Sequence, residues 1–156
     1  PFEKVSIEFI DEYRRESFNA GLQNGATEVL EFCKAIGFTQ FILSASQIEN
    51  LKAQVNHFGI MDYFEEILGL DHIHATSKVE IGKEWLSKSG IDSDEIIMIG
   101  DTIHDHETAT ELGCDVLLIP SGHQSKERLL KLNAPVIDSI LQVKEYLNNS
   151  GFSQRR

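Results

Sequence analysis

The sequence predicts an α/β domain built on a parallel β-sheet flanked by helices. Three observations carry that expectation. Short apolar runs recur at Phe41–Leu43, Ile96–Ile99 and Val116–Ile119, the pattern of strands buried on both faces of a parallel sheet. Amphipathic segments lie between them, several opened by a hydroxyl cap and closed by glycine. Strand and helix therefore alternate along the chain, the order that right-handed crossovers in a parallel sheet produce.

Taken in order, residues 2–18 place Phe2, Val5, Phe9, Ile10, Tyr13 and Phe18 at roughly helical spacing, and the competing strand alternation stops at Phe9, so a helix is expected. Asn19–Gly25 reads as a linker-like break. Ala26–Ile36 is an amphipathic helix stopped by Gly37. After the Phe41–Leu43 strand, Ser46 and Glu49 have the spacing of a capping box. The helix they open carries Ile48, Leu51, Val55 and Phe58 on one face and ends at Gly59. Glu66–Leu68 is a further candidate strand. Ser77 and Glu80 form a second capping box, for a helix running to about Ser89 with Gly90 as its stop; Trp85, at helical spacing from Ile81, is assigned to the core. The Ile96–Ile99 strand follows, then a helix from about Asp105 to Leu112 stopped by Gly113, then the Val116–Ile119 strand. Ala134–Ile137 reads as a short edge strand, Ser139–Leu147 as a final helix, and Asn148–Arg156 as a polar, frayed tail.

With 156 residues, the chain has the length of one domain with a sizeable core. Its 14 basic and 25 acidic residues give a net charge of −11, and no basic stripe is present. Nucleic acid is therefore not an expected partner. No apolar run reaches the roughly 18 residues of a membrane span, and no secretory signal pattern opens the chain. Cys33 and Cys114 are isolated in apolar surroundings, which reads as two free thiols in a reducing cytoplasm. The chain opens on Pro1 rather than Met, so its start is not expected to be the native start of translation.

The candidate chemistry collects at the carboxyl ends of the strands, where open α/β sheets bind ligands. Ser44 directly follows Phe41–Leu43, and its hydroxyl with the amides of Ala45 and Ser46 would make a pocket for an anionic oxygen; turn and cap roles for the two serines are equally open. Lys78 stands at the first position of a helix, where the macrodipole disfavours a cation by a few tenths to about 1 kcal/mol. A nearby anion, such as a bound phosphate, would remove that conflict, as would an ammonium turned into water. Asp101 and Asp105 follow Gly100 at the end of a buried strand and would repel each other without a cation. Mg²⁺ is the natural choice, being a hard ion that prefers carboxylates and keeps its waters. The alternative makes Asp101 a turn former and Asp105 a helix cap. His72-Ile73-His74 and His104-Asp105-His106 have no further ligand at zinc spacing. His123, in the loop after Val116–Ile119, lies on the same sheet edge, and a contact with the pocket and a plain turn role are equally open.

Ser44 after a strand, Lys78 opening a helix and Gly100-Asp101-Thr102-Ile103-His104-Asp105, standing in this order, resemble motifs II, III and IV of the haloacid dehalogenase superfamily, in its phosphoglycolate-phosphatase-like branch. The segments 41–46, 77–86, 99–113 and 118–129 carry the likeness, which extends from about Leu22 to Val143. The resemblance implies a Rossmann-like α/β core over residues 21–147. Residues 1–20 would be the last helix of a helical cap domain, and 148–156 a polar tail. It further implies Mg²⁺-dependent hydrolysis of a small phosphorylated metabolite through a transient aspartyl-phosphate. In it Ser44 and Ala45 would bind the phosphoryl group, Lys78 would neutralise its charge, Asp101 would hold the metal, and Asp105 would ligate the metal or brace its shell.

The family's first motif, an apolar strand ending in Asp-x-Asp that supplies the nucleophile, has no counterpart here. Asp92-Ser93-Asp94 has the spacing but precedes a strand. In the family that strand is central, so its loss would remove about five buried side chains at roughly 1.5–3 kcal/mol each. The expectation is therefore a piece of a longer phosphatase, inactive alone. Its sheet would be completed by the missing N-terminal segment, by another chain, by its own first segment, or by a rearrangement. A non-catalytic pseudophosphatase that binds phosphorylated ligands or a partner is the alternative.

Overall fold

The computed structural model describes residues 19–71, 77–120 and 124–152. The helix expected over 2–18, the pair His72 and His74, and His123 lie outside them. Among the described residues the order is α1 (Ala26–Ala35), β1 (Phe41–Gln47), α2 (Ile48–His57), β2 (Glu66–Leu70), α3 (Lys78–Ser89), β3 (Ile97–Gly100), α4 (Ile103–Leu112), β4 (Asp115–Leu118), α5 (Lys126–Leu130) and α6 (Val143–Asn149). Single 3₁₀ turns lie at Met61–Tyr63, Ser93–Glu95 and Ile140–Gln142. The glycines read as helix stops, Gly37, Gly59, Gly90 and Gly113, all take positive φ, between 67° and 89°, which costs a residue without Cβ nothing.

Several element ends move. The Ser46–Glu49 capping box does not form: the strand continues to Gln47, which precedes α2 without a side-chain cap bond. Ser77 does cap α3, its hydroxyl accepting from the Glu80 amide at 3.2 Å. Helix α4 starts two residues before the expected Asp105, because Thr102 is its cap and Asp105 its third residue. The segment expected as an edge strand over Ala134–Ile137 contributes one parallel bridge, Val136 to Leu118. Helix α5 has no counterpart in the sequence reading. Asn148 and Asn149 end α6, and Phe152 is buried with its ring stacked on Phe38 at 5.9 Å, so the chain is anchored further than a polar tail from 148 implies.

The parallel pairing is present, but in two halves. Among the described residues β1 pairs with β2 alone, through Phe41–Glu66, Ile42–Ile67 and Leu43–Leu68, and β3 with β4 alone, from Ile97–Asp115 to Gly100–Leu118. Each half has its own apolar cluster. Val29, Cys33, Leu117, Ile119, Val143, Leu147 and Phe152 pack beneath β3–β4, and Leu51, Val55 and Ile60 pack against β1–β2. Between the halves lies a cavity of about 700 Å³, walled by Phe41 and Leu43 on one side and Ile97 and Ile99 on the other. Burial follows this division: Leu117, Leu118 and Ile119 are at most 3% exposed, whereas no residue of β1 or β3 is fully buried and Ile99 is 41% exposed. Trp85, expected in the core, is a half-buried wall of this cavity, tilted on Phe41 with ring centroids 4.6 Å apart.

Candidate active site

The regular β1–β2 ladder ends at Leu43, and pairing resumes only at Gln47–Leu70. Ser44, Ala45 and Ser46 thus stand opposite Gly69 alone, a bulge of the kind that re-aims side chains beside functional sites. Gly69 permits it, since a Cβ there would lie 2.8 Å from the Ser46 carbonyl oxygen. Within the bulge the Ser46 amide donates to Ser44 Oγ at 3.1 Å. One of the amides expected to face an anion is therefore spent on the serine hydroxyl, while Ser44 is half-buried and Ala45 exposed.

At the end of β3 the chain turns tightly through Gly100 to Asp105. The Asp105 carboxylate is buried, and its Oδ2 accepts from the Asp101 amide at 2.9 Å, the Thr102 amide at 3.0 Å and the Thr102 hydroxyl at 3.0 Å. Thr102 Oγ1 in turn accepts from the Asp105 amide at 3.3 Å. This reciprocal capping box ties the first turn of α4 to the loop that carries Asp101. Gly100 is required by contact: a Cβ on it would run into the Asp105 side chain far closer than real Cβ atoms approach.

Asp105 Oδ1 is paired with the Lys78 ammonium, across 27 residues of sequence. That pair answers the question posed by a cation at a helix amino terminus: the anion beside Lys78 is an internal carboxylate. Burial pushes the Asp105 carboxyl up. Lys78 and the amides of Asp101 and Thr102 outweigh burial and hold it below its ordinary value of 3.8. Asp105 is thus an anion at any pH near neutrality, with both oxygens engaged inside the protein.

Of the two acids expected to ligate a metal, Asp105 is committed to Lys78 and the loop amides, and Asp101 is half-buried at the mouth of the loop. Among the described residues no three or more His, Cys, Asp or Glu side chains gather as a metal site. Mg²⁺ commonly uses one or two protein carboxylates and fills its octahedron with water and substrate oxygens. The acids present fit one part of such a shell and do not complete it. His104 is exposed and lies 3.1 Å from Glu107 through Nδ1, so it is spent on its own helix.

Two contributors escaped the sequence reading. Thr102 was legible, since Thr-x-x-Asp is a capping-box pattern. Gln124 was not: its Oε1 accepts from the Ile103 amide, the first of α4, at 2.7 Å across 21 residues, and nothing local announces it.

Similarity to known proteins accompanies this geometry. A family model described as haloacid dehalogenase-like hydrolase matches residues 2–119. The "Probable phosphatase IndB" of Dickeya dadantii is 28% identical over 72% of this chain and 50% of its own length. A phosphoglycolate phosphatase of Vibrio parahaemolyticus is 26% identical over 76% of this chain and 53% of its own length. The chain therefore spans about half the length of the curated relatives it matches. Among solved structures, a haloacid dehalogenase-like family hydrolase from Streptococcus pneumoniae superposes with a TM-score of 0.84 at 22% identity, covering 93% of this chain and 69% of that one.

Proposed function

Because this chain belongs to the haloacid dehalogenase-like hydrolase family, we propose that it is the charge-handling part of a Mg²⁺-dependent phosphatase, acting in the cytoplasm on a small phosphorylated metabolite. The observation that carries this reading is the Lys78–Asp105 pair, fixed by the Gly100–Asp105 turn at the carboxyl end of a parallel strand. Phosphoryl transfer asks little of a protein beyond positioning and charge neutralisation, and the roles divide accordingly. Ser44 donates its hydroxyl to a phosphoryl oxygen, with the Ala45 amide beside it. Lys78 neutralises charge on the transferring group. Asp105 holds that ammonium in place and fixes the loop, and Asp101 reaches the metal. Mg²⁺, when bound, supplies the positive charge that draws phosphate and nucleophile together.

The carboxylate nucleophile is supplied from outside this sequence, on an upstream segment of a longer protein. Residues 1–20 are then the end of a cap domain and 21–147 the catalytic core. Residues 148–156 are outside the catalytic machinery. The test is the longer gene product assayed against a panel of phosphomonoesters with and without Mg²⁺. Expected is hydrolysis that needs the metal and falls by about 10²–10³ or more in Asp101→Asn and in Lys78→Met; the chain by itself turns over nothing. Well-folded longer protein that hydrolyses no member of the panel refutes the enzyme reading. Phosphate binding without turnover, from a gene that encodes no acid-ending strand upstream, establishes the non-catalytic binder instead.

A further inference from the structure

We infer that Gln124 is a positioning residue for the site: it fixes the turn that carries Asp101 from the far side, through a neutral acceptor that adds no negative charge. The inference deepens the phosphatase reading and rests on it for its kinetic consequence, not for its geometry. Three polar contacts reach the turn from other elements. Lys78 on α3 meets Asp105, the Ile119 amide just after β4 donates to the Gly100 carbonyl at 2.9 Å, and Gln124 Oε1 accepts from the Ile103 amide at 2.7 Å. The first two hold the turn at its ends, Asp105 and Gly100. Gln124 holds its middle, two residues from Asp101.

The Ile103 amide is the first of α4 and has no partner within its helix. The local cap does not serve it, because the Thr102 hydroxyl accepts from the Asp105 amide instead. Without Gln124 the amide must find water, and the turn carrying Asp101 shifts with it. The base of Gln124 is itself anchored. It directly precedes Ser125, the residue that opens α5. Leu129 of that helix is fully buried, and Lys126 pairs with Asp138. The contact therefore ties the turn to an element that is held in place.

The residue type is informative. A helix amino terminus favours an anion, and a carboxylate is a stronger acceptor than an amide, so Glu would make the better partner for stability alone. A carboxylate there would add a third anion to the turn that already carries Asp101 and Asp105, and would repel an approaching phosphate. Gln keeps the reach and the acceptor and omits the charge.

The experiment compares Gln124→Ala and Gln124→Glu in the full-length gene product, by residue-resolved amide exchange and by phosphomonoester kinetics at saturating Mg²⁺. In Gln124→Ala, exchange at Asp101, Thr102 and Ile103 is expected to quicken more than about tenfold while α1 stays unchanged. Its kcat is expected to fall by about ten- to hundredfold at nearly constant KM, the mark of a displaced reacting group. Gln124→Glu is expected to keep the three amides protected and to raise both KM and the inhibition constant of inorganic phosphate by about fivefold or more. Exchange in Gln124→Ala that is unchanged, or quickened at Ile103 alone or throughout the chain, overturns the inference. So does a Gln124→Glu protein with wild-type kinetics, and that variant decides the matter if Gln124→Ala fails to fold. A wild-type protein that hydrolyses nothing refutes the phosphatase reading, and the exchange pattern then upholds or overturns the positioning role alone.

Discussion

Replacing Asp105 by Asn preserves volume and removes charge, so it isolates the electrostatic part of the site. The carboxylate accepts three bonds on Oδ2 and pairs with Lys78 through Oδ1. An amide has a single oxygen, so its NH₂ must point at the loop amides or at the ammonium, a donor against a donor in either case. Breaking a buried ion pair from one side costs about 3–5 kcal/mol. Lys78, whose side chain is 23% exposed, can turn toward water and recover part of this, which leaves about 2–3 kcal/mol. With urea slopes of about 1–3 kcal/mol per molar, the midpoint falls by about 1 M, followed through Trp85 emission at constant slope. The pH dependence has a fixed sign. The folded-state pKa of Asp105 is lowered, so its contribution is complete above the ordinary value of 3.8 and is lost as pH falls through the lower folded value. The gap between wild type and variant is therefore flat from pH 7 to 5 and closes only in strong acid. A variant within about 0.5 kcal/mol of wild type at pH 7, or a gap that widens on acidification, refutes the assignment of Asp105 as the anchored partner of Lys78.

Three further outcomes are expected. Gly100→Ala forces a Cβ against an Asp105 side chain that four bonds hold in place, so it should cost more than about 2 kcal/mol in the same titration; a neutral result means the turn can open. Thr102→Val keeps the shape and loses the cap hydroxyl, which should cost about 1–2 kcal/mol and speed amide exchange in the first turn of α4, whereas unchanged exchange there removes Thr102 from the loop's support. Burial raises the thiol pKa of Cys33 and of Cys114, and Cys33 is the more buried. Alkylation at pH 8 read by mass spectrometry should therefore modify Cys114 first and Cys33 only as the chain opens, and equal rates in buffer and in urea would contradict the packing of α1 on α6.

What could be read from the sequence was whatever depends on neighbours along the chain. Glycine stops at Gly37, Gly59, Gly90 and Gly113 were legible because positive φ is a local demand, and so was the Ser77 cap. The Ser46–Glu49 box failed for a tertiary reason: pairing of Gln47 with Leu70 holds the chain extended one residue too long. Asp105 has the chemistry of a cap, but Thr102 offers the better hydroxyl three residues earlier and takes that place. Lys78 was recognised as misplaced, but its partner sits 27 residues away, and local reasoning could name only an anion. Gln124 on the Ile103 amide is the same kind of contact, fixed by the return of the chain after β4.

The polar and apolar parts of this chain stand in different states of completion. Asp105 has a donor for each oxygen and Lys78 has its anion, so the charged centre holds together with nothing bound. The strands do not. Ile97, Met98 and Ile99 form an unbroken apolar run, yet Ile99 leaves 41% of its surface exposed beside the cavity, while Leu117 on the neighbouring strand is fully covered. Burying an aliphatic side chain gains about 1.5–3 kcal/mol, and several such residues line each side of the cavity. The free energy stored at this cavity is thus hydrophobic rather than electrostatic, the opposite of the charged centre a few residues away.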